Sequence, residues 1–330
     1  MTDTASALRY LAVLDDPWYR CLVAVQDLVS YETAVFWRAR GVRCVHLPIT
    51  TNSVSSPMGL GSDSLPVRVD LFGVPTYLAD SMQFMLEYGC RLAPGGCYYL
   101  MPSFRGEAAD ETHLNQFFHS EVEIQGGLDD VMAAADEYVR HLASTCLAQL
   151  GDELARVAGG IAHVERYLAT PTARITVDEA VAVLTGQEGC VVVNGDDLWP
   201  TVTRRGEQRL VELLGPSVWL THFDHRAVPF YQAHDHTGTR ALNADLLLGP
   251  GEVVGCGERH VTGDQVRDSL RAHAVAEGDY GWYVDLKSAY PLRTSGFGLG
   301  VERLVMWLMA CPDIRRTQLV ERYNGVLTTP

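Results

Sequence analysis

Thr294-Ser295-Gly296-Phe297-Gly298-Leu299-Gly300-Val301-Glu302-Arg303 runs straight into the apolar segment Leu304–Met309. Glycines at alternating positions of a strand clear one of its faces, so something bulky can lie flat against the backbone. The helix that follows presents Arg303 in its first turn, beside that cleared face. A guanidinium stacks on rings and binds phosphate, so a nucleotide would suit the surface. A close-packed strand–helix junction would use the same glycines. The spacing is not G-x-G-x-x-G and falls late in the chain, so no dinucleotide-binding fold is implied.

Composition narrows the partners. A chain of 330 residues can bury a large core, and 47% apolar with 20% charged residues is ordinary for a globular protein. No apolar run approaches the roughly 20 residues that span a bilayer, and the start Met1-Thr2-Asp3-Thr4 lacks a secretion signal. The 8 cysteines, with no C-x-x-C pair, read as reduced thiols of a cytoplasmic protein. The net charge of −15, with Lys287 as the only lysine, argues against gripping a nucleic-acid backbone. A small anion held by a few arginines fits better.

Apolar periodicity predicts a helix over 18–43, followed by a short strand ended by Pro48 and a long polar loop over 49–64. Strands are predicted at 67–72, 76–79, 97–104 and 117–124, the last two forming a hairpin with a polar tip; a helix is expected over 81–88. An amphipathic helix spans 128–150, and Thr176 can cap another. Strands resume at 217–221, 244–248 and 252–255. The pattern implies one α+β domain over 1–330: a mostly antiparallel sheet flanked by helices, with a helical insertion at roughly 126–215.

Polar residues gather in groups within these strand-like segments. Arg105 and Glu107 sit at the hairpin mouth, with His113 and Phe117 across its loop, where an arginine can hold phosphate and an aromatic can stack. Asp245 and Glu252 flank a Gly249-Pro250-Gly251 turn and could share a divalent ion, or simply form a solvated sheet face. Arg259 follows in the same strand region and could bind a carboxylate or amide in a fork. His222, His225, His234, Asp235 and His236 lack compact zinc spacing, and Cys256 reads as a buried thiol.

Taken together, these groups resemble class II aminoacyl-tRNA synthetases of the aspartyl/asparaginyl subgroup, over roughly residues 18–325. The segment ending in Pro48 resembles the first class II motif, which implies a homodimer through helix 18–43. Phe104-Arg105-Gly106-Glu107 through Phe117 resembles the second, and Gly296–Arg303 the third. The resemblance implies an ATP site of Arg105, Glu107, His113, Phe117, Glu252, Gly296, Gly298, Gly300 and Arg303, with Arg105 and Arg303 catalytic. It implies Mg²⁺ at Asp245 and Glu252. Tyr77–Glu87 and Gly251–Arg259 resemble the amino-acid pocket, which implies Ser81, Gln83, Leu86, Glu121 and Arg259 as its residues. Aspartyl enzymes carry lysine at Leu86 and aspartate at Glu121, so the pattern leans to the asparaginyl side.

There are departures too. The second-motif loop has Thr112 where the family has arginine and Gln116 where it has glutamate; Thr294 replaces a histidine, and Glu321-Arg322 replaces Pro-Arg. The subgroup's N-terminal anticodon-binding barrel is not expected here. With the acidic charge, these departures lead to the expectation of an AMP-forming ligase that passes an activated aspartate, asparagine or analogue to ammonia or a small amine, with tRNA disfavoured. The alternatives are transfer to a carrier protein, peptide or tRNA acceptor stem, and a non-catalytic sensor of amino acid or ATP.

Overall fold

The computed structural model describes residues 9–56, 64–194 and 199–325. Its main sheet is built from Arg43–Cys44 (β1), Cys97–Phe104 (β2), Gln116–Gln125 (β3), Ala173–Thr176 (β4), Val218–Thr221 (β5), Asn243–Leu248 (β6), Gly251–Glu258 (β7) and Thr294–Gly300 (β8). The strand order is β1-β2-β3-β8-β7-β6-β5-β4. The inner strands β2 to β5 pair antiparallel, and β1 and β4 add a parallel strand at each edge.

Alternation along β8 decides what each face of the sheet does. Phe297 and Leu299 point to one side and are buried, whereas Gly296, Gly298 and Gly300 point to the other. The apolar side is covered by Pro17–Ala39 (α1) and Leu128–Ala158 (α3), which pack on each other. Helix α1 starts cleanly because Pro17 occupies its first turn and Asp16 accepts the Trp18 N–H at 2.9 Å. The Phe297 ring lies 5.9 Å from Trp37 of α1 and 5.8 Å from Tyr138 of α3. Tyr138 is buried, and its hydroxyl is satisfied by Thr33 at 2.6 Å and Ser120 at 2.8 Å. The helix predicted to stop at 150 continues to Ala158 across a non-helical Leu150 (φ −126°, ψ 16°). The apolar period is lost there, although the chain resumes helix beyond it.

The region expected as a helical insertion divides in three. Helix α3 lies against the sheet, β4 joins its edge, and the remainder gathers around a separate apolar cluster that includes Ile175, Val177, Leu184, Val202 and Leu210. That remainder holds helix Val177–Val183, capped by Thr176 through Glu179, and Arg204–Leu214 (α4). Within the predicted loop 49–64, Thr50–Thr51 pairs with strand Val74–Leu78; residues 57–63 lie outside the described residues. No helix among the described residues is long and apolar enough to cross a membrane.

On the glycine side, Gln83–Cys90 (α2) meets Gly281–Ala289 (α5) through a buried ion pair. Lys287 of α5 and Glu87 of α2 have no exposed side-chain surface and pair directly. Tyr283 donates its hydroxyl to both Glu87 oxygens, at 2.8 and 2.9 Å. Lys287→Met would leave that carboxylate buried without its cation, so unfolding free energy should fall by about 3–5 kcal/mol. Urea denaturation of the purified variant measures this loss.

Candidate active site

Strand β3 places His119, Glu121 and Glu123 at alternate positions, opposite Gly300, Gly298 and Gly296 of β8. Acidic side chains on one strand therefore lean over the backbone that the other has cleared. A Cβ on Gly296 would fall 1.9 Å from Glu123 Oε2 and 2.5 Å from the Val122 carbonyl oxygen. On Gly298 it would meet Glu121 Oε1 at 3.4 Å, and on Gly300 only the Arg303 side chain at 3.7 Å. Gly257 of β7 does the same for Gln232, whose Oε1 would lie 1.9 Å from an added Cβ.

Glu123 is fully buried and paired with Arg259, whose Nη2 and Nε donate to it at 3.1 and 3.2 Å. Arg259 Nη1 donates to Gln232 Oε1 at 3.2 Å, and the guanidinium lies 5.2 Å from the Tyr231 ring. Burial pushes the Glu123 carboxyl up to about 7, against the pull of Arg259. Burial also opposes the charge on Arg259, but Glu123 and Glu87 together hold it above the ordinary arginine range. The guanidinium stays charged and fixed.

Glu121 has a different environment. Ser81 Oγ donates to its Oε2 at 2.6 Å, Tyr99 donates to the same oxygen, and His119 Nδ1 lies 3.0 Å from Oε1. Burial would raise its pKa, yet His119, Ser81 and Tyr99 bring it below the usual carboxylate value.

Asp245 and Glu252 face each other over Gly255, where an added Cβ would lie 2.8 Å from Glu252 Oε1 and 3.6 Å from Asp245 Oδ1. Burial first, then Glu252 and Glu207, drives Asp245 well above its ordinary pKa. Burial and Glu252 likewise lift Glu207 to about 7. Two oxygen donors in a cradle open to a cavity, made unfavourable by mutual repulsion, fit a divalent ion such as Mg²⁺ completed by phosphate oxygens. Arg303 Nη1 donates to Glu252 Oε2 at 3.1 Å and to its carbonyl oxygen at 2.9 Å.

These groups line two adjoining cavities. The first, about 270 Å³, is bordered by Arg105, Glu107, His113, Phe117, Glu252, Gly298, Gly300 and Arg303. The second, about 320 Å³, is bordered by Ser81, Gln83, Glu121, Asp245, Glu252 and Arg259. Arg105, His119, Glu252 and Gly298 belong to both. Arg105 Nε, Glu107 Oε2 and Gln83 Nε2 are buried with no hydrogen-bond partner among the described residues, so polar valence is left over for a ligand. Arg105 also lies 5.7 Å from the Phe117 ring.

Two expected residues fall elsewhere. Leu86 is fully buried among Ala79, Met82, Cys97, Tyr99 and Met101 and borders neither cavity. Gly296 borders neither as well; it clears space for Glu123, not for a nucleotide. Sequence reasoning missed His119, Glu123, Gln232, Glu207 and Glu302. The alternation His119-x-Glu121-x-Glu123 beside the glycine strand was a usable signal for two of them. Glu302 accepts the Phe118 N–H at 2.9 Å, a contact with no local sequence sign. The histidine-rich segment packs as rings: His234 lies 4.9 Å from both His225 and His260. Burial lowers His234 to about 4 and His260 to about 3. Among the described residues no group of three or more His, Cys, Asp or Glu is placed to hold a metal.

An antiparallel sheet with joined cavities on its glycine face is the architecture of a class II, ATP-dependent, adenylate-forming synthetase. The family described as "tRNA synthetases class II (D, K and N)" matches residues 2–322. The chain belongs to that family of ligases. It is 30% identical over 305 residues to an asparagine–tRNA ligase of Thermoplasma acidophilum, covering 90% of this chain and 68% of that protein. The corresponding protein of Syntrophobacter fumaroxidans is 29% identical over 327 residues, covering 91% and 69%. The crystal structure of asparaginyl-tRNA synthetase from Pyrococcus horikoshii complexed with asparaginyl-adenylate superposes with a TM-score of 0.86 at 26% identity, covering 95% of this chain and 70% of that one.

The glycine geometry makes a testable contrast. Gly296→Ala should cost about 1–3 kcal/mol of stability because Glu123 and the Val122 carbonyl must move. Gly298→Ala, with its nearest neighbour in the range of a tight contact, should cost clearly less. Parallel urea titrations compare the two.

Proposed function

We propose that the protein activates asparagine as its adenylate and transfers the aminoacyl group to tRNA. The observation that carries the reading is Arg259, fixed by Glu123 and Gln232 in a cavity that meets a nucleotide-sized one at Arg105. The Arg259 charge is already answered by Glu123, so a neutral amide suits this pocket better than a carboxylate. The Pyrococcus horikoshii relative is described with asparaginyl-adenylate, and the curated relatives are asparagine–tRNA ligases, which supports asparagine and favours tRNA as acceptor.

In this reading the asparagine carboxylate attacks the α-phosphorus of ATP, the bond to the pyrophosphate oxygen breaks, and pyrophosphate leaves. No side chain need act as nucleophile; holding the two reactants in line supplies most of the acceleration. Arg105, at the junction of the cavities, meets the charge that develops on the α-phosphate. Mg²⁺ held by Asp245 and Glu252 would neutralise charge on the phosphates. Phe117 and Arg303 border the space for the adenine. The described elements would act as one catalytic domain, in a cytoplasmic homodimer through α1, whose outer face exposes Val23, Tyr31 and Val35.

A small amine as acceptor is the second reading, and one observation favours it. The hairpin loop 105–115 carries Glu107, Asp110 and Glu111 against the single Arg105, a poor surface for a polyanion. Charging total tRNA with labelled asparagine separates the readings; product formed from asparagine or aspartate only with ammonia or an amine would favour the second.

ATP–pyrophosphate exchange should proceed with asparagine and be at least 10-fold weaker with aspartate, a difference of about 1.4 kcal/mol. Arg105→Ala should lower exchange by about 100-fold or more with an unchanged melting temperature. Exchange with no amino acid would defeat the adenylation reading.

A further inference from the structure

The outer end of the nucleotide cavity opens into a third space of about 180 Å³. Thr112, His113, Glu252 and Arg303 border both, and the far wall is Arg204 and Glu207, one turn apart at the start of α4. This helix comes from the region outside the main sheet. It is fastened to the site by Glu207, whose Oε2 accepts the Glu252 N–H at 3.3 Å. The contact needs Gly251 (φ +112°), where a Cβ would fall 2.6 Å from the same oxygen and 4.0 Å from Arg204 Cγ.

Charge at this end is unevenly committed. Arg303 is paired with Glu252, and His113 lies against Asp110 at 3.0 Å. Arg204 is exposed and makes no hydrogen bond or ion pair among the described residues. A nucleotide seated in the first cavity would direct its polyphosphate towards these groups, beside Glu207 and Glu252. The guanidinium left for it on this wall is Arg204.

We propose that α4 completes the nucleotide site, with Arg204 binding the β- and γ-phosphates of ATP and Glu207 positioning the helix through the Glu252 backbone. This rests on the first cavity being the ATP site. The chemistry is a charge-assisted, forked contact from guanidinium to phosphate oxygens. It gives the region beyond β4 a task in catalysis: it discriminates a nucleoside triphosphate from a monophosphate.

The test is direct binding by calorimetry, with Mg²⁺, of a non-cleavable ATP analogue and of AMP, without amino acid. Arg204→Ala should weaken the triphosphate by roughly 10-fold and leave AMP unchanged. Arg205→Ala removes the same charge from the neighbouring exposed position, near Gly189, and should leave both ligands unchanged. Glu207→Ala should repeat the triphosphate-selective loss, and Glu207→Gln, which keeps an oxygen for the Glu252 N–H, should restore most of it. Equal weakening of ATP and AMP, no change with Arg204→Ala, or an equal loss with Arg205→Ala would overturn the proposal. Absence of exchange with any amino acid would instead strike the catalytic reading, and the ATP-against-AMP comparison would still decide the role of α4.

Discussion

Glu123 has no exposed surface, and its carboxylate keeps its place only because Arg259 lies against it and Gly296 leaves it room. A buried charge stripped of its partner costs several kcal/mol, so neither residue can move independently. The constraint spreads outwards. Arg259 also needs Gln232, Gln232 needs Gly257, and Gly257 lies opposite Gly296 in the β7–β8 register. The glycines of β7 and β8 therefore serve side chains of the protein first. What a ligand meets is a surface already fitted with fixed charges.

The same strands that carry this polar face are anchored by the other one. Phe297 sits among the rings of α1 and α3 one residue away from Gly296, and Val122 is buried one residue away from Glu123. A site built on central strands of an antiparallel sheet has little freedom to relax, which is what in-line chemistry needs. It also explains how a chain of net charge −15 can receive an anion. Arg259 and Arg303 are each matched to a carboxylate, as is Lys287, whereas Arg105 and Arg204 are in no ion pair among the described residues, so attraction is left at the junction of the two cavities and at the outer end of the first.

Much of this was legible in the sequence. Period-two glycines marked the cleared strand, and apolar residues recurring at helical spacing marked the covering helices, because both follow from backbone geometry within one element. Arg105, Phe117, Asp245, Glu252, Arg259 and Arg303 are picked out by spacing and resemblance, and all of them border the cavities. Leu86 and Gly296 border neither cavity, and one reason covers both: a sequence reports that a position is special without saying which neighbour makes it so. Gln232 and Glu207 were invisible, because their partners Arg259 and Glu252 lie 27 and 45 residues away in the chain. The acceptor was weighed from overall charge, whereas an acceptor meets only the local surface at the cavity mouth.

Sharing of residues between the cavities has a thermodynamic consequence. Glu252 borders both, holds Arg303 through its side chain and backbone, and repels Asp245. A phosphate that draws Arg303 away from Glu252 leaves more negative charge beside Asp245, which a cation or the amino group of a substrate would then offset. On the proposed reading, filling one cavity would lower the free energy of filling the other, and linkage would make the effect equal in both directions. No moving lid is required for this coupling. It follows from two carboxylates and one guanidinium sharing a space too small for their charges to act independently.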